Sequence, residues 1–252
     1  MKFFIDTANL AQIQEAHDLG ILDGVTTNPS LMAKEGVKGQ DAIMDHYKKI
    51  CDIVDGDVSA EVVSTKFEDI IEEGKKLAAI HKNIVVKVPM IKDGVKAIKW
   101  FTDNGIQTNC TLIFSAGQAL LAAKAGVKYV SPFVGRIDDS GWDGMELIGQ
   151  ITQIFDIQNY KTEVLVASIR NPNHIIRAAE LGAQIITSPL DSILGLLKHP
   201  LTDIGLQNFW KTQRNYNSAY IIFISRKGRK VYTLRPLRFL TPLREMLCSC
   251  FT

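Results

Sequence analysis

A single lysine interrupts a short apolar segment in the first half of the chain. Residues 84–90 read IVVKVPM, and Lys87 stands among six apolar residues. A short run that is rich in β-branched residues is typical of a parallel strand buried on both faces. Burying an ammonium group there is costly, because the charge loses its hydration. Lys87 is therefore either a strand-end lysine whose amine reaches solvent or an amine kept neutral and nucleophilic in an apolar site.

Polar residues also stand in or directly after six other apolar segments. They are Asp6, Asn28, Glu61, Asn109, Thr111, Ser131, Arg136, Ser168 and Arg170. Each has a local explanation when it is taken alone: Asp6 can cap a helix, Asn28 can form an Asx turn, and Glu61 can reach solvent. Their joint occurrence favours a shared ligand, because buried polar groups without partners are costly.

The residue types complement one another for Schiff-base chemistry on an anionic substrate. An amine among apolar walls can attack a carbonyl carbon, and Lys87 supplies that amine. The two carboxylates can divide the acid and base roles. Arg136, Arg170 and the Ser168 hydroxyl can bind phosphate, because guanidinium groups pair well with phosphate oxygens. The set indicates class I aldol chemistry on a sugar phosphate.

The segments that would position these residues alternate between strands and amphipathic helices. The predicted strands are residues 2–7, 24–28, 58–63, 84–89, 108–114, 129–134, 163–168 and 184–188. Between them, apolar residues recur at helical spacing, as in residues 66–81. Eight such units in about 200 residues predict a (β/α)8 TIM barrel, whose strands all end at one mouth. A doubly wound sheet is the alternative, but no glycine-rich phosphate loop follows the first strand.

The overall composition is that of an ordinary globular protein and indicates no special class. The 252 residues are 46% hydrophobic and 22% charged, which is ordinary for a globular protein. No apolar run approaches the about 20 residues of a membrane helix, and Asp6 comes too early for a signal peptide. The cysteines Cys51, Cys110, Cys248 and Cys250 show no metal-ligand or disulfide spacing. We therefore expect a cytoplasmic protein with no membrane partner.

The charge balance changes near residue 211. Residues 1–210 carry 20 Lys and Arg against 26 Asp and Glu, whereas residues 211–252 carry 9 against 1. We predict a catalytic barrel domain over residues 1–210, including the start of an extra C-terminal helix, and a divergent basic tail over residues 211–252. The segment SRKGRK is compatible with nucleic-acid contact, but a frame-shifted gene end or an assembly appendage also explains it. We expect no nucleic-acid partner, and we expect a chain stopped after Lys211 to stay active.

Seven segments in order resemble the small transaldolase and fructose-6-phosphate aldolase family. They are FIDTAN, GVTTNPSL, VVKVPM, TNCTLIFS, SPFVGRIDD, VLVASIRN and HPLTDIGL, and they cover about residues 1–210. The resemblance implies a TIM barrel in which Lys87 forms a Schiff base with a ketose phosphate. It also implies self-association as pentamers or decamers through a C-terminal helix.

The resemblance assigns roles to the other site residues. Glu61 would pass protons through a water held by Thr111, and Asp6 would take the C4 hydroxyl proton as the C3–C4 bond breaks. Two further groups would bind substrate: Asn28, Asn109 and Ser131 for the dihydroxyacetone hydroxyls, and Arg136, Ser168 and Arg170 for the phosphate. No metal or organic cofactor is implied, because the protonated imine is the electron sink.

Two positions separate the two activities of the family. Transaldolases resemble this sequence at Glu61 and Phe133, where the aldolases have Gln and Tyr. A phenol at position 133 can supply a proton, whereas a phenyl ring keeps the reacting carbon dry. Phe133 as a plain packing residue would leave Glu61 as the one discriminating position.

We therefore predict a transaldolase that converts sedoheptulose 7-phosphate and glyceraldehyde 3-phosphate into erythrose 4-phosphate and fructose 6-phosphate. A fructose-6-phosphate aldolase that releases free dihydroxyacetone is the alternative, and a non-catalytic phosphate-binding barrel is a more distant one. Deoxyribose-phosphate aldolase also carries a barrel lysine, but it lacks the segments TTNPS and SPFVGRID.

Overall fold

Eight parallel strands close into a barrel in sequence order, which confirms the predicted TIM barrel. The computed structural model describes residues 1–226, apart from the side chains of residues 215 and 217–226. The strands are β1 Lys2–Asp6, β2 Gly24–Thr26, β3 Asp57–Glu61, β4 Ile84–Pro89, β5 Thr108–Ile113, β6 Tyr129–Pro132, β7 Glu163–Val166 and β8 Ile185–Ser188. Each lies within its predicted range except β3, which begins one residue earlier.

Helices follow the strands, and those before residue 199 form the outer layer. They are α1 Leu10–Asp18, α2 Pro29–Lys34, α3 Gln40–Ile53, α4 Phe67–Ala78, α5 Lys92–Asp103, α6 Ala116–Lys124, α7 Val134–Asp139, α8 Gly144–Ile157, α9 Pro172–Glu180, α10 Leu190–Leu194 and α11 Pro200–Arg226. Ser115 caps α6, and Asn171 caps α9 with Pro172 in its first turn, as the sequence predicts.

Strand β4 shows how one apolar run serves both faces of the barrel wall. Successive side chains of a strand point to opposite faces. Ile84, Val86 and Val88 belong to the large core cluster that includes the helices, whereas Val85 belongs to a separate cluster. Lys87 shares its face with Val85 and is therefore directed into the barrel interior.

An apolar layer fills the part of the barrel where the strands begin. We call it the basal layer, and it consists of Phe4, Val85, Tyr129, Leu165 and Ile185. The Tyr129 hydroxyl donates a 2.5 Å hydrogen bond to the Asp57 carboxylate at the start of β3. Burial and the neighbouring Asp57 charge raise the pKa of Tyr129, so the phenol stays protonated. The basal layer closes the end of the barrel that is opposite the mouth.

The chain divides into two compact units, and the second begins at His199. In the second unit the described part of the chain forms α11, which is 27 residues long and includes the predicted C-terminal helix. Its described apolar side chains, such as Leu201, Phe209 and Trp210, are exposed. Within residues 1–226 no helix is long and apolar enough to cross a membrane. Most of the predicted tail, residues 227–252, lies outside the described residues.

Candidate active site

Lys87 and Glu61 form an ion pair inside the mouth of the barrel. They are direct neighbours in the register of β3 and β4, and Lys87 Nζ lies 3.1 Å from Glu61 Oε2. The Lys87 side chain is 7% exposed and that of Glu61 18%, which excludes the alternative in which the amine reaches solvent. Within the described part of the chain, the only other hydrogen-bond acceptor of Nζ is the Thr27 carbonyl oxygen, at 3.5 Å. A carboxylate this close can take a proton from the amine and leave it nucleophilic.

Tyr47, on α3, fixes the end of β3 from outside the barrel. The Glu61 backbone N–H donates to the Tyr47 hydroxyl oxygen at 3.3 Å. Burial raises the pKa of Tyr47, and the nearby Glu61 charge acts in the same direction. A neutral phenol therefore anchors the backbone of the residue that pairs with Lys87.

Asp6 lies at the end of β1 and is held by a residue that the sequence analysis did not select. Thr26, its register partner on β2, donates a hydrogen bond from Oγ1 to Asp6 Oδ1 at 2.7 Å. Thr26 Oγ1 lies in turn 2.6 Å from Thr187 Oγ1 on β8. Both threonines are buried. The carboxylate of Asp6 is thus attached to a row of hydroxyl groups.

Asn109 and Ser131 meet in the barrel interior, as expected for residues that share a site. Ser131 Oγ donates to Asn109 Oδ1 at 2.8 Å, and Asn109 Nδ2 donates to Ser59 Oγ at 3.1 Å. All three residues are buried. Ser59, on β3, was missed because a lone serine in a strand carries no local signal. The asparagine amide is held in one orientation and keeps a second N–H for a ligand.

Thr111 and Asn28 differ in how far their side chains are already engaged. Thr111 is fully buried, and its Oγ1 has no hydrogen-bond partner among the described residues. Buried hydroxyls are normally paired, so this atom is suited to a water or substrate contact. Asn28 instead caps α2, because its Oδ1 accepts from the Leu31 N–H at 3.0 Å. Asn28 therefore has a local role, but as the cap of α2 and not in the Asx turn considered from the sequence, and its Nδ2 amide group is the part left for substrate.

Arg136 and Arg170 line one cavity of about 850 Å³ beside α7 and α8. Arg170 Nη2 lies 3.0 Å from Asp139 Oδ2. The Arg136 guanidinium lies over the Phe133 ring, 5.2 Å from its centroid. Phe133 also packs edge-on against Phe114, with ring centroids 5.8 Å apart. The cavity therefore combines two cations with the aromatic rings of Phe114 and Trp142, and it also holds three carboxylates, those of Asp139, Asp143 and Glu146.

Ser168 and Gly135 bring the end of β7 against the start of α7. Ser168 adopts φ 60°, the left-handed region that is unfavourable for residues other than glycine. Its carbonyl oxygen accepts from the Gly135 N–H at 3.0 Å. A Cβ atom on Gly135 would lie 2.2 Å from this oxygen and 2.6 Å from Arg170 Nε. Only glycine fits here, because the backbone and the Arg170 side chain pass directly over it.

Two histidines are partly buried and contact the backbone or a carboxylate next to site residues. His174 is 15% exposed, with Nε2 3.1 Å from Asp138 Oδ2, and its Nδ1 accepts from the Arg170 N–H at 3.4 Å. His46 Nε2 lies 2.7 Å from the Ala8 carbonyl oxygen, in the loop after Asp6. Both therefore support the backbone beside site residues. Among the described residues, no three His, Cys, Asp or Glu side chains are grouped to hold a metal ion.

Comparison with known proteins gives one consistent result. The family model described as "Transaldolase/Fructose-6-phosphate aldolase" matches residues 3–223. A "Probable transaldolase" of Cytophaga hutchinsonii is 65% identical over 217 residues, which are 86% of this chain and 100% of the relative. Proteins of the same name from Phocaeicola vulgatus and Porphyromonas gingivalis are each 63% identical, over 86% and 87% of this chain and 100% of each relative. The family match passes residue 210 and ends within α11.

Proposed function

The chain belongs to the transaldolase and fructose-6-phosphate aldolase family, and we propose that it transfers a dihydroxyacetone unit between sugar phosphates through a Schiff base on Lys87. The donor and acceptor would be sedoheptulose 7-phosphate and glyceraldehyde 3-phosphate. The names of its relatives support the transferase. The observation that carries the Schiff-base mechanism is the buried amine of Lys87 beside Glu61, 3.1 Å away in an otherwise apolar strand.

The first step of this mechanism is attack of the amine on the ketose carbonyl. Glu61 accepts a proton from Lys87 Nζ, and the free electron pair of the nitrogen forms the bond to C2. The carbinolamine then loses its hydroxyl as water, with Glu61 supplying the proton through a water molecule. The unpartnered Thr111 hydroxyl supports this role, because it is a polar atom available to hold such a water. The product is a protonated imine.

Bond cleavage uses the second carboxylate. Asp6 takes the proton of the C4 hydroxyl, the C3–C4 bond breaks, and its electron pair flows into the imine to give an enamine. The aldose phosphate leaves, and the dihydroxyacetone unit stays on Lys87. Asn109 and Ser131, with the amide group of Asn28, would bind the hydroxyls of that unit. The imine accepts the electrons, so the proposal needs no metal or organic cofactor.

The cavity that Arg136 and Arg170 line would bind the phosphate. Arg136 and Arg170 line it from two different elements. The Ser168 hydroxyl, two residues before Arg170 in the chain, would add a neutral donor. Arg170 is already paired with Asp139 at 3.0 Å, and a phosphate dianion would compete with that exposed carboxylate for the guanidinium. The sugar would therefore extend from Lys87 toward α7.

Phe133 supports transfer over release of free dihydroxyacetone. Its ring is covered by Arg136 and packs against Phe114. A phenyl ring carries no hydroxyl, so this side chain cannot protonate the enamine. An enamine that is not protonated persists until an aldose phosphate enters and takes the unit. The fructose-6-phosphate aldolase reaction is the alternative within the same family.

The Schiff base is tested by borohydride reduction. Treatment with fructose 6-phosphate and borohydride should fix a reduced dihydroxyacetone unit on the peptide that contains Lys87, as mass spectrometry of the digest would show. The variant Lys87→Met should neither trap nor turn over, whereas Lys99→Met, which removes an exposed helix lysine, should behave as the parent. An adduct on a different lysine, or turnover by Lys87→Met, would contradict the mechanism.

The reaction class is tested by the products. Fructose 6-phosphate with erythrose 4-phosphate should yield sedoheptulose 7-phosphate, and fructose 6-phosphate alone should release little dihydroxyacetone. Efficient release of dihydroxyacetone without an acceptor would contradict the transferase and support the aldolase. A non-catalytic phosphate-binding barrel would neither form sedoheptulose 7-phosphate nor release dihydroxyacetone.

We also propose self-association and a cytoplasmic location. Exposed apolar residues on α11, among them Leu201, Phe209 and Trp210, support assembly of several copies, and pentamers or decamers are expected from the family resemblance. The free thiols of Cys51 and Cys110 support a reducing compartment. Light scattering of the purified protein measures the first proposal directly. The proposal includes no nucleic-acid or membrane partner.

A further inference from the structure

Three oxygen atoms form a continuous chain that ends on the Asp6 carboxylate. Thr187 Oγ1 lies 2.6 Å from Thr26 Oγ1, which lies 2.7 Å from Asp6 Oδ1. The two threonines belong to β8 and β2, the strands on either side of β1. Their relative exposures are 3% and 2%. Two buried hydroxyls therefore join across the strand that carries the proposed base.

The direction of this hydrogen-bond chain follows from its end. An ionised carboxylate accepts only, so the single hydroxyl proton of Thr26 is given to Asp6. Thr26 can then serve Thr187 only as an acceptor, and Thr187 must donate. Among the described residues, the Thr187 hydroxyl has no other hydrogen-bond partner. Each proton in the chain therefore points toward Asp6.

The hydrogen-bond chain engages one carboxylate oxygen of Asp6 and leaves the other without a donor in the described part of the molecule. Oδ1 is bound by Thr26, whereas Oδ2 receives no hydrogen bond from any described residue. A carboxylate fixed through one oxygen presents the other in a single orientation, and general-base catalysis depends on such placement. When Oδ2 takes up a proton, the hydrogen-bond chain stays intact, because Oδ1 still accepts from Thr26.

We propose that Thr26 and Thr187 are positioning residues that hold Asp6 so that Oδ2 takes the proton of the C4 hydroxyl. The inference deepens the proposed function and rests on it. In this step the O–H bond of the substrate breaks, an O–H bond forms at Oδ2, and the C3–C4 electron pair enters the imine. Neither threonine touches the reacting atoms.

The neighbouring residues of the same strands favour a functional origin. Phe4 and Ile185, two positions before Asp6 and Thr187, fill the basal layer with apolar groups. Valine has nearly the shape of threonine and would fill the barrel without a polar atom to satisfy. The buried hydroxyls of Thr26 and Thr187 are therefore explained by the hydrogen bonds that they make.

The test compares Thr26→Val, Thr187→Val and the double variant with the parent enzyme. Removing Thr26 frees the carboxylate, so kcat of transfer should fall about 10- to 100-fold while KM for fructose 6-phosphate changes less than about twofold. Thr187→Val should lower kcat less, about 3- to 10-fold, since Thr26 still donates. The double variant should be no slower than Thr26→Val alone, because the hydroxyls act as one chain. Thr26→Ser should recover most of the activity.

A second measurement separates positioning from damage to the fold. Free dihydroxyacetone forms an imine without bond cleavage, so borohydride should trap it on Lys87 equally fast in all these variants. Thr108→Val is the matched control, because Thr108 is a buried barrel threonine whose hydroxyl has no partner among the described residues.

Three outcomes would overturn the inference. They are parent-like kcat in Thr26→Val, multiplicative losses in the double variant, or slower trapping in parallel with slower transfer. Failure of the parent itself to trap dihydroxyacetone would instead refute the proposed function.

Discussion

Replacing Gly135 by alanine should damage phosphate binding while leaving the Schiff base intact. Gly135 lies at the start of α7, beneath the Ser168 carbonyl and the Arg170 side chain. The same glycine donates its N–H to that carbonyl at 3.0 Å, which holds the two backbones together. A methyl group at this position cannot be accommodated by rotation of one side chain.

The size of the effect follows from the distances. The added Cβ would lie 2.2 Å from Ser168 O, and real Cβ atoms essentially never approach closer than 3.0 Å. The end of β7 and the start of α7 must therefore separate by about 0.8 Å. Displacement of about 1 Å near a reacting group can cost about 10²-fold, so kcat/KM for a phosphorylated donor should fall about 10- to 100-fold. Overpacking of this kind costs about 1–3 kcal/mol of stability.

The assay compares substrates with and without phosphate. KM for fructose 6-phosphate should rise, because Arg170 and Ser168 are displaced, whereas borohydride trapping of free dihydroxyacetone on Lys87 should proceed as in the parent. Gly149→Ala is the control: its Cβ would meet Leu181 at 3.5 Å, an ordinary contact in the middle of α8. Alanine is favoured over glycine in a helix by about 1 kcal/mol, so this variant should be fully active.

Two results would refute the reasoning about Gly135. Unchanged KM for fructose 6-phosphate would show that the phosphate is not bound by the residues above the glycine. If turnover of fructose 6-phosphate and borohydride trapping of free dihydroxyacetone fell by the same factor, the substitution would have damaged the barrel in general. A moderate fall in Tm, about 2–4 °C per kcal/mol for a domain of this size, is compatible with the prediction.

Four further outcomes are expected. Glu61→Gln removes the carboxylate 3.1 Å from the buried amine, so trapping should slow by about 10²–10⁴-fold in quenched-flow measurements, and an unchanged rate would remove Glu61 from the mechanism. Phe133→Tyr should raise the release of free dihydroxyacetone from fructose 6-phosphate, measured with a coupled dehydrogenase, and no increase would assign Phe133 to packing. Burial raises the pKa of Cys51 to about 11 and that of Cys110 to about 12, and the thiolate is the reactive form. Iodoacetamide at pH 8 should therefore label both only after unfolding, and labelling of the native protein, seen by peptide mapping, would contradict their placement. A chain stopped after Arg226 keeps the family match through residue 223, so its transfer activity should stay within a few-fold of the full chain, and loss of trapping would assign the tail to the enzyme.

The architecture was predictable because each barrel unit leaves a local signature. A short β-branched run, a turn and an amphipathic helix recur eight times, and the strand positions were found to within a few residues. Polar residues at strand ends pointed correctly to one mouth, since parallel strands in a barrel all end there. The proximity of Lys87 and Glu61 follows directly from the register of β3 with β4.

The residues that support the site were missed because their signal is not local. Serine and threonine are common in strands, so the sequence does not distinguish Ser59, Thr26 and Thr187 from ordinary strand residues. Alternation offered a usable clue, because inward-facing residues recur every second position. Thr187 follows Ile185 of the basal layer by two positions, just as Lys87 follows Val85.

Other contacts depend on tertiary approach alone. The pairs His174 with Asp138 and Arg170 with Asp139 join residues about one strand–helix unit apart in the chain. No spacing rule connects them, because they meet only when α7 packs against the loop after β7 and the start of α9. The close approach over Gly135 has the same origin.

The basal layer bears on how this enzyme can be redesigned. Its five side chains, with the Tyr129 to Asp57 hydrogen bond, fill the barrel away from the mouth. Substitutions that change the accepted sugar would fall on the opposite rim and would leave these contacts intact. Most substitutions destabilise by about 1 kcal/mol, so several can accumulate at the rim before the barrel unfolds. Laboratory evolution of new donor or acceptor preferences should therefore begin from the rim and preserve the basal layer unchanged.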